Sequence, residues 1–260
     1  MALRITDKRY LRPWLEALQP LPPAELWQRF VLRDQLPELD FSIAASAVYS
    51  SNIEGNSLDL DAFMNSKLRR RPLKFKSKEK QEIENLIAAY RFAQEHALDE
   101  KNLLRAHQIL SKTILPRSQQ GKYRDQALFV YSQYGIEYAA LEPQFVAERM
   151  KELFDDLAAL GRGKKEAVES FYHAALLHLI FVHIHPFQDG NGRVSRLLEK
   201  WFLASALGAQ AWQIPSEQFY KENRAEYYKN IKLGENYYFL NYELCVPFLT
   251  MLPRSLAPVP

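Results

Sequence analysis

Apolar positions Ile83, Leu86, Ile87, Tyr90 and Ala93 recur at the helical period, which predicts a helix over residues 78–98. Asp99 is placed to cap a second helix running through Leu110. Residues 41–49 form an apolar, helix-compatible run ending in Ser50-Ser51-Asn52. Pro143 fits a first helical turn, and the period resumes through Leu160 until Gly161-Arg162-Gly163 breaks it. Residues 166–184 are apolar nearly all round, the pattern of a helix in the middle of a bundle. Another helix is expected over 193–207, stopped by Gly208, and helical signals recur over 216–233 and 241–252. Between 121 and 138 the pattern changes. Ala127 to Tyr131 is β-prone, Ser132-Gln133-Tyr134-Gly135 reads as a turn, and Ile136-Glu137-Tyr138 reads as a returning strand. The first forty residues are interrupted by Pro13, Pro20, Pro22, Pro23 and Pro37. They read as an arm of short helices, residues 41–252 as the main domain and residues 253–260 as a frayed tail.

Composition supports a mainly α class. Only 9 of 260 residues are Gly, too few for the many turns of a sandwich or barrel. Hydrophobic residues at 47% and charged residues at 25% exclude global disorder. The single Cys245 excludes an internal disulfide framework and any multi-cysteine zinc site. A net charge of +3 is too small to argue for nucleic acid, and Arg69-Arg70-Arg71 reads as a solvated helix end. The opening MALRITDKRYLRPW lacks the apolar run of a signal peptide, and the apolar stretch 174–187 is too short to span a bilayer. A cytoplasmic, membrane-free protein is expected.

The chemistry concentrates in His183-Ile184-His185-Pro186-Phe187-Gln188-Asp189-Gly190-Asn191-Gly192-Arg193-Val194-Ser195-Arg196. Gly190-Asn191-Gly192 lets the backbone turn tightly and approach a ligand. The helix that follows points free N–H groups and its positive dipole end into that turn, a place that binds phosphate. Arg193 and Arg196 are three apart, so both can reach one anion. Asp189 is the first carboxylate after Glu169 and reads as a hard ligand for Mg²⁺ beside a phosphate. His185, at the mouth of the turn, is the natural general base. Taken alone, a Gly-Asn-Gly turn is more often only a loop, and no P-loop is present. Zinc on His173, His178, His183 and His185 is a rival reading. It is disfavoured because His173 and His178 are five apart and turn away from each other on a helix.

The stretch from His185 to Arg193, with Arg196, resembles the signature of Fic-domain proteins at every position. The likeness extends over residues 41–252. Gln119-Gln120-Gly121-Lys122-Tyr123-Arg124 is similar to the segment leading into the Fic flap, and residues 216–228 to the C-terminal helices. Ser50-Ser51-Asn52-Ile53-Glu54-Gly55 is similar to the family's inhibitory motif, with Ser50 and Glu54 in its ruling positions, ahead of the catalytic motif. The resemblance implies a Fic-fold helical bundle with one β-hairpin flap. It implies a self-inhibited transfer of AMP from Mg-ATP to a Ser, Thr or Tyr hydroxyl of a target protein. His185 would be the base, and Asp189 would hold Mg²⁺. Gly190, Asn191, Gly192 and Arg193 would cradle the phosphates, with Phe187 as loop anchor. Arg196 would meet the γ-phosphate unless paired with Glu54. The 127–138 flap would dock the target. Tyr228 would line the adenine pocket, where some relatives place an Asn near Glu235; Asn236 lies one residue further on. A homodimer is compatible with all of this.

Two other functions compete. The same site could remove AMP from modified proteins or transfer another phosphate-containing group, although Gly192, where a kinase-like variant has Lys, favours AMP. A non-enzymatic helical adaptor or nucleic-acid binder is the alternative of a different class.

Overall fold

The computed structural model describes residues 3–33, 35–68, 77–132, 135–161 and 166–257. The helices among them are α1 (Leu11–Ala17), α2 (Pro23–Val31), α3 (Leu39–Ile53), α4 (Leu60–Leu68), α5 (Ser77–Glu95) and α6 (Glu100–Leu110). After a hairpin of β1 (Phe129–Ser132) and β2 (Gly135–Ala139) come α7 (Pro143–Leu160), α8 (Ala167–Ile184) and α9 (Asn191–Leu207). The chain ends in α10 (Ser216–Glu222), α11 (Arg224–Ile231) and α12 (Val246–Arg254). The mainly α class holds.

The expected periods map onto these elements. Asp99 caps α6 by accepting from the Asn102 N–H at 2.8 Å. Pro143 opens α7, and Gly208 ends α9 at φ 98°. The apolar run becomes α8, buried on every face from Ser170 to Phe181. By length and composition the whole of α8, Ala167–Ile184, is long and apolar enough to cross a membrane, although the 174–187 stretch alone is too short. Its surface is instead covered by α2, α7, α9 and α12. The hairpin pairs Phe129 with Ala139 and Val130 with Tyr138, then Tyr131 with Ile136. Glu137 is therefore the extra residue of a bulge. Gln133 and Tyr134 of the expected turn, Arg162 and Gly163 of the expected break, and Arg69-Arg70-Arg71 lie outside the described residues.

Four expectations require correction. The first forty residues do not stand off as an arm. Leu3, Ile5, Trp14, Leu26 and Phe30 are buried in the same core as α8. The prolines misled because Pro13 and Pro23 sit in first helical turns, where no N–H is lost. The tail is not frayed over residues 253–257 either, since Pro253, Ser255 and Leu256 are buried; residues 258–260 lie outside the described residues. Pro253 continues α12 although it has no N–H to give Leu249, and the Trp14 indole N–H supplies the missing donor, bonding the Leu249 carbonyl at 2.9 Å. One contact thus ties both chain ends together. The helical signal over 216–233 divides at Asn223 into α10 and α11. The signal over 241–252 begins as a 3₁₀ turn capped by Asn241.

α8 and α9 form an antiparallel pair at the centre, joined by the 185–190 turn. α3 packs against α5, α9 and α10 and brings its C-terminal end to the start of α9. The hairpin lies over the same place, anchored by Tyr138, whose hydroxyl donates to the His183 carbonyl at 2.6 Å.

Candidate active site

α8 ends on His185, which adopts the left-handed conformation at φ 53° and ψ 58°. A non-glycine residue there costs energy, and the surroundings hold it in place. The Arg124 guanidinium donates to the His185 carbonyl at 2.8 Å and the Gln126 carbonyl at 2.9 Å, and also reaches the Leu141 carbonyl. The Arg124 N–H donates to the Pro186 carbonyl at 2.9 Å. One buried arginine therefore fastens the turn to both ends of the hairpin.

Phe187 is fully buried and stacks on His107, ring centroids 3.6 Å apart and planes 6° apart. His107 Nδ1 accepts from the Gly121 N–H, so its proton is on Nε2, which donates to the Asp189 carbonyl at 3.1 Å. Burial pushes His107 down to about 4, which keeps it neutral in this role. Phe187 is thus an anchor and does not face the cleft. The Asn191 side chain, expected among the phosphate ligands, is spent elsewhere. It accepts from the Phe187 N–H at 2.8 Å and donates to the Phe187 carbonyl at 2.7 Å, closing the turn. Gly190 caps α9 at φ 85°, where a Cβ would meet Leu110 and Ile114. The first N–H groups of α9, from Asn191 to Arg193, lack intrahelical acceptors, the arrangement that favours an anion at a helix start.

The His185 ring faces a cleft of about 510 Å³ lined by Glu54, Asp189, Gly192 and flap residues Leu128 to Val130. Its Nδ1–H donates to the Val182 carbonyl at 3.1 Å, which leaves Nε2 as the acceptor. Burial pushes the imidazole down to about 4, helped by Arg124 and opposed by the Val182 carbonyl, Glu54 and Asp189. It is neutral near pH 7 and able to take a proton. The Asp189 side chain is 53% exposed, accepts from the Gly190 N–H at 2.5 Å and stands 3.8 Å from the NH1 of Arg193. As an accessible hard oxygen donor it fits Mg²⁺. Among the described residues no three His, Cys, Asp or Glu are grouped to hold a metal without substrate oxygens.

Arg196 is fully buried. Its Nε donates to Ser50 Oγ at 2.8 Å, its NH2 to the Ser50 carbonyl at 3.0 Å and to Glu54 Oε1 at 2.7 Å, and its NH1 to the Tyr227 hydroxyl at 3.2 Å. Ser50 and Glu54 share a face at the end of α3, and both meet the same guanidinium. Burial would raise the Glu54 carboxyl, but Arg196 and then Arg193 outweigh it and hold it below the usual carboxylate range. Arg193, three residues earlier, is gripped by Glu82 Oε1 through Nε at 3.0 Å and NH2 at 2.7 Å.

A second lobe of about 250 Å³ joins the first at His185, Glu54 and Gly192. Tyr228 lines it with Tyr138, Ile231, Leu233 and Gly234. Glu235 and Asn236 do not. The Glu235 carbonyl accepts from the Ala139 N–H, and the Asn236 side chain caps Tyr238 and Phe239. His178 is buried between Glu199 and Tyr227, and the His173 ring bonds the Ile5 carbonyl, so the two point to different partners. Sequence reasoning did not reach His107 and Glu82, and it named Arg124 only within the segment leading into the flap, without its clamp on the turn. The cap logic that identified Asp99 gives no signal for such side-chain pairings.

Residues 97–203 match the Fic/DOC family model. Curated relatives include a protein adenylyltransferase Fic of Drosophila mojavensis, 48% identical over 62 residues, 24% of this chain and 11% of that protein. Another is a protein adenylyltransferase Fic of Drosophila willistoni, 41% identical over 87 residues, 30% of this chain and 16% of that protein. The chain thus spans only a small part of these relatives' length. A Fic family protein from Desulfovibrio desulfuricans G20 superposes with a TM-score of 0.76 at 21% identity, covering 98% of this chain and 74% of that one. Fic-1 (residues 134–508) of C. elegans gives 0.65 at 22% identity, covering 95% and 69%. These structures speak for the fold. The intact motif, the helical architecture around it and the family match agree: residues 97–203 of this chain carry a Fic domain of the Fic/DOC family.

Proposed function

We propose that the protein is a self-restrained protein adenylyltransferase, which transfers AMP from Mg-ATP to a hydroxyl of a target protein. The observation that carries this reading is a neutral His185 with its Nε2 free, beside an anion site at the start of α9 against which the Glu54 carboxylate is packed. The names of the fruit-fly relatives support the same reaction class.

The target hydroxyl gives its proton to His185 Nε2 as its oxygen attacks the α-phosphorus, and pyrophosphate leaves. The free N–H groups of Gly192 and Arg193 bind phosphate oxygens, and the Arg193 and Arg196 side chains neutralise the charge that develops on the leaving group. Asp189 would hold Mg²⁺, which would supply charge neutralisation to the phosphates. The flap pairs an extended target segment through main-chain hydrogen bonds, and the lobe beside Tyr228 takes the base. Glu54 acts as the brake. Its carboxylate occupies Arg196 and repels the terminal phosphate, so the α-phosphorus is misaligned for in-line attack.

A second reading, removal of AMP from a modified protein, draws on the same carboxylate, since Glu54 lines both lobes next to His185. Labelled ATP incubated with a lysate and either wild type or Glu54→Gly, followed by mass spectrometry of labelled bands, tests the first reading. The same two proteins incubated with an adenylylated substrate test the second.

A further inference from the structure

The two arginines of the motif are held by carboxylates in opposite ways. Glu54, on Arg196, lines the cleft. Glu82, on Arg193, lines neither lobe. It projects from α5, more than one hundred residues before the motif, and is nearly buried at 12% side-chain exposure against 9% for Arg193. Both donors of Arg193 that it engages, Nε and NH2, go to Oε1. That leaves NH1 uncommitted by Glu82 and 3.8 Å from Oδ1 of Asp189, a residue that lines the cleft. The other carboxylate oxygen, Oε2, faces the Asn56 amide at 3.5 Å, and that amide also donates to the Glu79 carbonyl at 3.1 Å. The carboxylate is therefore contacted on both oxygens.

We propose that Glu82 is a positioning residue for phosphate recognition. It fixes the guanidinium of Arg193 by one edge and presents NH1 to the triphosphate beside Asp189. The inference rests on the reading of the cleft as a nucleotide site. An arginine carries several rotatable bonds, and holding it in one geometry before the ligand arrives removes an ordering cost from binding. Nε and NH2 converge on the one oxygen Oε1, so the carboxylate grips that edge of the guanidinium at two points and limits its rotation. A competitor for phosphate would stand in the cleft, as Glu54 does, and would engage the atoms that the ligand needs.

The test measures the affinity for a non-hydrolysable ATP analogue with Mg²⁺ by calorimetry, and kcat/KM for ATP, all in the Glu54→Gly background. Glu82→Ala should weaken both by roughly ten- to a hundredfold, the scale for a misplaced binding group. Glu82→Gln keeps an acceptor oxygen and should fall between parent and alanine variant. Glu82→Ala added to Arg193→Ala should cause no further loss, because its effect passes through that arginine. A purely structural role would instead lower thermal stability and add to the Arg193→Ala defect. Unchanged analogue affinity in Glu82→Ala, additive losses in the double variant, or a gain in transfer rate would each overturn the proposal. Absence of AMP transfer with analogue binding still dependent on Glu82 would count against the transferase reading alone. Should Glu82→Ala not fold, Glu82→Gln and its combination with Arg193→Ala give the same comparison, and equal affinity for Glu82→Gln and parent would overturn the proposal.

Discussion

The Glu54 carboxylate occupies the space in which Gly192 would carry a side chain: a Cβ there would lie 2.3 Å from Glu54 Oε1 and 3.2 Å from the NH1 of Arg196. Two segments separated by more than 130 residues are thus fitted to each other at the first turn of α9, where the helix gathers anions. If Glu54 is the brake, Glu54→Gly should raise auto-modification or target labelling by roughly ten- to a hundredfold or more, since a misplaced reacting group can cost ~10²-fold in rate. Arg196→Ala should not mimic this release, because it removes the terminal phosphate contact with the brake. A labelling assay comparing the two variants at several ATP concentrations checks both statements.

His185→Ala should abolish transfer and leave the affinity for ATP nearly intact. The ring has its Nδ1 on the Val182 carbonyl and its Nε2 free, so deletion removes the base without touching the anion site. Loss of general base catalysis is worth ~10²–10⁴-fold. A transfer rate within tenfold of the parent would sink the assignment.

The pH dependence follows from the same ring. The base works when neutral, and burial pushes its pKa down to about 4. Activity should therefore be present at neutral pH and be lost only as pH falls through about 4. An ordinary histidine would lose it near 6.5. The acid limb of kcat/KM for Glu54→Gly, measured from pH 8 downward with a check for folding, decides this. A limb centred near 6.5 would contradict the burial argument.

Asp189→Ala should remove the Mg²⁺ dependence along with activity, since Asp189 is the accessible carboxylate in the turn and substrate oxygens must supply the other ligands. An unchanged Mg²⁺ titration would place the metal elsewhere.

Asn191→Ala should cost stability. It leaves the buried N–H and C=O of Phe187 without their partners, each worth about 1–3 kcal/mol. For a chain of this size a loss of 1 kcal/mol lowers Tm by about 2–4 °C. Unchanged melting with lost ATP affinity would return the Asn191 side chain to the phosphates.

What could be read in advance divides along the range of each interaction. The 185–196 motif, the all-apolar α8, the Asp99 cap and the hairpin are local patterns, each written in a short contiguous stretch. Trp14 on the Leu249 carbonyl, Glu82 on Arg193 and His107 on Phe187 are not, because their partners lie 235, 111 and 80 residues away. Prolines in the first forty residues read as breaks, since sequence spacing does not tell a first-turn proline from an interrupting one. Asn191 was assigned to phosphate by its company in the motif. Its amide faces inward because a turn this tight needs a clamp on Phe187.

The most direct test of the central claim is the mass added to protein in the presence of ATP and Mg²⁺. Wild type and Glu54→Gly are incubated side by side with a lysate, and labelled proteins are weighed intact and mapped by fragmentation. The account predicts one adenylyl group on a Ser, Thr or Tyr side chain, abundant with Glu54→Gly, scarce with wild type and absent when His185→Ala is added. An added phosphate or other group in place of AMP, or equal labelling by wild type and Glu54→Gly, would contradict it.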